Sequence, residues 1–230
     1  MTSIAVARAY QQSFETHPYG TLAITNGALT ALGDMVAQLT EKFVRVLPSI
    51  HLTLAEDESQ NGPLSQRKGW QYDIPRTLRF AAFGVGMGPV IGRWNFILER
   101  YFPLRSARPP PGGGKAPVSL RALGKRVAAD QLFMAPIGLS IFVGSMGIME
   151  GRDATHIQRK YADMLIPALL MNWQVWPLAQ FVNFRFMPLA YRVPFQSSCG
   201  VFWTLYLSIL NSKEDQAQDR ADAMRKSLDK

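Results

Sequence analysis

MLIPALLMNWQVWPLAQFVNF, residues 164–184, runs for 21 residues without a charged side chain. Coiled as an α-helix at about 1.5 Å per residue, such a run covers the roughly 30 Å of a bilayer's hydrocarbon. Helical spacing places Trp173, Trp176, Gln180 and Asn183 within an arc of about 80°, with Val175, Leu178, Ala179 and Val182 opposite. One face is amide and aromatic, and the other suits lipid. Pro177 lies inside the run, where it removes a backbone donor and frees a carbonyl that a side chain or water must satisfy. The amides either bond neighbouring helices, at about 0.6 kcal/mol each, or line a wetted path.

Two further uncharged runs, residues 131–149 (19 residues) and 193–212 (20 residues), have the same length. Three such runs in 230 residues are hard to place in a soluble core. Two weaker segments join them, about 18–39 and 77–98. In the latter Gly84, Gly88 and Gly92 recur every four residues on one stripe about 80° wide. Glycine in a helix costs about 1 kcal/mol relative to alanine, and close backbone approach between membrane helices is the compensating reason. The earlier segment repeats the device with Gly27 and Ala31, and adds Asp34 and Gln38 on the same face. The expectation is an all-α integral membrane bundle with four to five membrane-embedded helices.

Polar groups inside apolar segments are costly and mark candidate function. Asp34 and Gln38 in the first segment, Asp130 and Gln131 at the start of the third, and Trp176, Gln180 and Asn183 in the fourth are candidates for a pore lining or a polar bundle interior. Arg79 and Arg93 are added to them; they lie about 21 Å apart along a helix, nearly opposite the glycines. They either snorkel to opposite interfaces or pair with Asp34 or Asp130. Gly27, Gly84, Gly88, Gly92, Pro136 and Pro177 are packing or kink positions.

The chain divides into an amphipathic N-terminal segment (1–17), one membrane helical domain (18–212) and a charged tail (213–230). Flexible loops are expected near 51–66 and 105–118. The connection between residues 41 and 76 balances five basic against five acidic residues, whereas residues 99–126 carry seven basic and one acidic. The tail, with five of each, reads as a short solvated helix or a disordered segment. Basic residues divide too evenly between the two sides of five crossings for the positive-inside rule to fix an orientation.

Composition removes several classes. One cysteine, Cys199, and three scattered histidines exclude a disulfide scaffold and a zinc module. The net charge of +8 points to membrane surfaces rather than nucleic acid, because basic patches interleaved with exposed aromatics are missing. Gly84-Val85-Gly86-Met87-Gly88-Pro89 matches neither the dinucleotide nor the Walker spacing. No nucleophile and base are arranged for catalysis. Neither an enzyme nor a cofactor is expected.

The ordered set Tyr10-Gln11, His17-Pro18, Gly33-Asp34 with Gln38, Asp73, Arg76, Gly88-Pro89, Trp94, Asp130-Gln131 with Pro136, Trp176-Pro177 with Gln180, Asn183-Phe184, Pro188 with Arg192, Phe202-Trp203 and Tyr206-Leu207-Ser208 resembles the Mpv-seventeen and twenty-two-kilodalton peroxisomal membrane protein family. The resemblance spans roughly residues 9–210. It departs at Ala9 and Asn95, where relatives usually carry aromatic residues. Met149-Glu150-Gly151-Arg152 and residues 172–183 are most similar to the mitochondrial inner-membrane branch, with the peroxisomal membrane as the alternative. The resemblance implies a small helical membrane protein, conventionally with four membrane helices, proposed as a channel for ions or small metabolites. It also implies roles in mitochondrial homeostasis and mitochondrial DNA maintenance.

The leading expectation is therefore a channel whose partners are the bilayer, its solutes and possible further copies of itself, with arginines modulating charge selectivity. The rival is a non-transporting membrane scaffold that organises partner proteins or lipids, with the basic 100–126 connection as its binding element.

Overall fold

The structure is a computed structural model and describes residues 2–55, 71–105 and 118–228. All regular elements among the described residues are helical. They are α1 (Thr2–Thr16), α2 (Pro18–Ala55), α3 (Ile74–Tyr101), α4 (Leu120–Ala129), α5 (Ala135–Met149), α6 (Ala154–Phe186) and α7 (Leu189–Leu228), with a π-helical turn (Asp130–Met134) joining α4 to α5. Each of the five apolar segments lies within one long helix, α4 and α5 forming one continuous rod. The bounds differ from the expected ones: α2 extends past residue 39 to Ala55, and α7 carries the charged tail on as unbroken helix. The loops expected near 51–66 and 105–118 fall, over residues 56–70 and 106–117, outside the described residues.

Helix starts follow local chemistry. Asp73 caps α3 by accepting from the Arg76 amide at 2.8 Å, with Pro75 in the first turn where no donor is missed. Ser119 caps α4 and Asp153 caps α6 in the same way. Between α5 and α6, Gly151 takes a left-handed φ of 70°, and the Arg152 amide reaches back to the Gly147 carbonyl at 3.0 Å.

The most extensive packing is α2 on α3, followed by α2 on α7, α5 on α6 and α6 on α7. The expected glycine stripe makes the first of these. A Cβ on Gly84 would stand 2.8 Å from the Gly27 Cα and the Asn26 carbonyl oxygen, so only hydrogen fits there. Gly88 faces the Leu22 backbone, Gly92 the Leu22 side chain, and Gly27 the Ala81 carbonyl and Val85. Gly33 lies against Thr204 and so brings α7 onto α2. The apolar core gathers Phe80, Leu139, Phe142, Val143, Met146, Met164, Ala168 and Leu207.

The distribution of polarity is inverted relative to a soluble domain. Asn26, Asp34, Gln38, Asp130, Gln131, Asn172, Gln180 and Asn183 are buried. Large apolar side chains cover the outside, among them Ile24 (73% exposed), Leu178 (72%) and Phe202 (77%). An apolar surface that continues over several helices is what a bilayer covers. By length and composition, one helix among the described residues could cross a membrane, the rod from Leu120 to Met149. The expected count of four to five therefore does not follow from hydropathy: buried amides, tryptophans and prolines lower the apolarity of the α6 and α7 runs.

Candidate functional site

Pro136 sits just after the turn from Asp130 to Met134. Its ring cannot donate, and within an α-helix it would crowd the carbonyl four residues back. The chain widens there instead, and the Ala135 amide bonds the Asp130 carbonyl five residues earlier. In that register the next donor would be Pro136 and its acceptor the Gln131 carbonyl. The Trp173 indole N–H from α6 takes this oxygen at 3.0 Å. The widened turn also carries Asp130 and Gln131 into the bundle, where both are buried.

Asp130, 5% exposed, accepts three N–H donors from three directions. Trp94 Nε1 of α3 lies 3.0 Å from Oδ1. Gln131 Nε2 and Gln180 Nε2 of α6 lie 2.9 and 2.8 Å from Oδ2. Asn172 donates to the Gln131 side-chain oxygen at 2.9 Å, and Asn183 to that of Gln180 at 3.0 Å. No basic side chain among the described residues contacts Asp130. A buried carboxyl held only by neutral donors among the described residues is costly to keep, above all in its ionised form.

Beside this network lies a cavity of about 160 Å³ between α2, α3, α5, α6 and α7, and Asp130, Gln131, Asn172 and Gln180 line it. Phe80, Phe83, Phe142, Trp176 and Trp203 supply aromatic wall. Trp176 and Trp203 meet edge to face at 6.2 Å, as do Phe83 and Phe142 at 5.3 Å. Two buried polar atoms of lining residues, Trp176 Nε1 and Gln196 Oε1, have no hydrogen-bond partner among the described residues.

Asp34 and Gln38 are buried, as their face predicts, but they are not among the residues lining this cavity. Asp34, fully buried, pairs with Arg76 Nε at 2.9 Å and accepts from Thr77 Oγ1 at 2.7 Å and Gln38 Nε2 at 2.9 Å. Arg76 also pairs with Glu41 at 2.9 Å, and Gln38 accepts from the Asp73 amide at 2.8 Å. This cluster ties the start of α3 to the middle of α2. The two arginines singled out from the sequence lie elsewhere. Arg79 stands 4.0 Å from Asp73 at the start of α3, and Arg93 is exposed on the outer face, so neither pairs with Asp34 or Asp130. Their position nearly opposite the glycines turns them away from α2.

Sequence reasoning missed three participants. Arg76 is the partner of Asp34, and its signal was its place three residues after the cap Asp73. Asn172 extends the amide face of α6 by one turn. Lys160, fully buried, pairs with Glu150 at 2.9 Å and joins the start of α6 to the end of α5.

The family model described as "Mpv17 / PMP22 family" matches residues 147–208, which include the Glu150–Lys160 pair and the amide face of α6. Over 205 residues the chain is 35% identical to Protein SYM1 of Saccharomyces cerevisiae, covering 89% of each chain. The chain belongs to the Mpv17/PMP22 family, a family of organellar membrane proteins. It is 32% identical over 202 residues to Peroxisomal membrane protein 2 of Bos taurus, covering 87% of each chain. Protein SYM1 of Candida glabrata is 32% identical over 212 residues, with 91% of each covered. No solved structure matches the chain.

Proposed function

We propose that this protein is a channel for ions or small metabolites in an organellar membrane, with the cavity beside Asp130 as part of its path. The carrying observation is the juxtaposition of that cavity with four amides and a buried carboxyl that no basic side chain among the described residues contacts, inside a bundle whose outside is apolar. Polar groups are retained inside membrane bundles at a cost, and a wetted path is the function that uses them. Four to five of the helices α2 to α7 are membrane-embedded on this reading, with α4, the π turn and α5 as one crossing.

The mitochondrial inner membrane is the proposed location, supported by the Met149-Glu150-Gly151-Arg152 turn and residues 172–183. The name of the bovine relative supports the peroxisomal membrane as the alternative. The proposed physiological role is mitochondrial homeostasis and mitochondrial DNA maintenance, exercised through solute passage without an enzymatic step. The lipid bilayer is its partner, and further copies of the chain could complete the path.

The test is solute release from proteoliposomes loaded with potassium and small organic solutes. Release that depends on reconstituted protein and slows in Asp130→Asn supports the reading. Retention of every solute by folded, reconstituted wild-type protein contradicts it and favours a scaffold.

A further inference from the structure

We infer that the cavity beside Asp130 is a binding site for a small organic ammonium cation. The inference deepens the channel reading by naming the solute class, and it rests on that reading only for the step of transport, not for binding. Two independent features of the cavity agree. The first is charge: Asp130 is buried, has no basic partner among the described residues, and its three hydrogen bonds come from neutral donors. A monocation in the cavity would stabilise this carboxyl in its ionised form.

The second is the wall. Phe80, Phe83, Phe142, Trp176 and Trp203 surround the space, and aromatic faces attract a desolvated cation most strongly when the ammonium is large and weakly hydrated.

Size sets the upper limit. A cavity of about 150 Å³ holds a benzene-sized molecule, so about 160 Å³ admits a ligand of roughly six or seven heavy atoms. Choline fits that limit, and 3,3-dimethylbutan-1-ol has nearly its shape without the charge. These two molecules are the probes.

The experiment measures equilibrium binding of each probe to the purified full-length protein in detergent, by calorimetry and by tryptophan fluorescence, without any conductance readout. Choline should bind at least about tenfold tighter than the neutral isostere. Asp130→Asn should weaken choline at least about tenfold and leave the isostere little changed. Because Asp130→Asn disturbs three hydrogen bonds and could fail to fold, Trp176→Phe serves as a second variant; it keeps an aromatic side chain but a smaller, weaker π face, and should weaken choline severalfold. Equal binding of the two probes to wild-type protein overturns the inference, as does no binding of choline by folded protein. Choline binding without any conductance would leave the site standing and remove the channel. Conductance without choline binding would do the reverse.

Discussion

The Trp173 indole N–H donates to the Gln131 backbone oxygen at 3.0 Å, the acceptor that Pro136 leaves without a donor in the widened turn. The same solution recurs at α7. Pro194 cannot bond the Ala190 carbonyl four residues back, and the Tyr10 hydroxyl from α1 takes that oxygen at 3.0 Å. At Pro136 and Pro194 the carbonyl that the proline leaves without a backbone donor is satisfied by an aromatic donor on another helix.

Trp173→Phe should therefore lower stability by about 1–3 kcal/mol, the cost of an unsatisfied buried carbonyl. Restoring a backbone donor with Pro136→Ala should shrink that penalty. Denaturant unfolding in detergent of the two single variants and the double variant reads the coupling.

Gly84→Ala should destabilise by about 1–3 kcal/mol, since its methyl would meet the backbone of α2 at Asn26 and Gly27, which cannot swing aside. Gly86, two residues on, has nothing within 4 Å of an added Cβ. Gly86→Ala should be neutral or slightly stabilising, so the pair of melting temperatures separates packing from helix propensity.

Asp34→Asn should cost about 3 kcal/mol, because it leaves the Arg76 guanidinium without one of its two carboxylates. Ion selectivity should not change, because Asp34 is not among the residues lining the cavity. A selectivity shift in folded Asp34→Asn protein would show that the path reaches the α2–α3 cluster.

The Tyr10 phenol is pushed up to about 12, first by burial and then by the neighbouring Tyr191. A raised pKa means that the folded state prefers the neutral phenol. Its contribution to docking α1 is complete below pH about 10 and is lost as pH rises through about 12. A spectrophotometric phenolate titration compared with Tyr10→Phe checks this. Ionisation of Tyr10 near 10 would show that α1 is undocked.

The faces of the helices were legible in the sequence, because four-residue glycine spacing and the clustering of Gln180 and Asn183 depend only on helical geometry. What meets each face was not. Asp34 is paired by Arg76 across 42 positions, and that pairing depends on how the connection returns α3 to α2. Arg79 and Arg93 were equally plausible by charge, yet their positions along and around α3 exclude them. The π turn was hidden as well, since Pro136 reads as a helix start unless the helix before it is known to be continuous. The cavity could not be read at all, because its wall is assembled from five helices.

The most direct test of the channel is the reversal potential of single openings in a planar bilayer under a potassium chloride gradient, for wild type and Asp130→Asn. A wetted path beside the Asp130 carboxyl predicts discrete openings that favour cations, with that preference reduced in Asp130→Asn. Openings whose reversal potential is the same in both proteins would contradict the placement of Asp130 on the path. Silence from folded wild-type protein would contradict the channel itself.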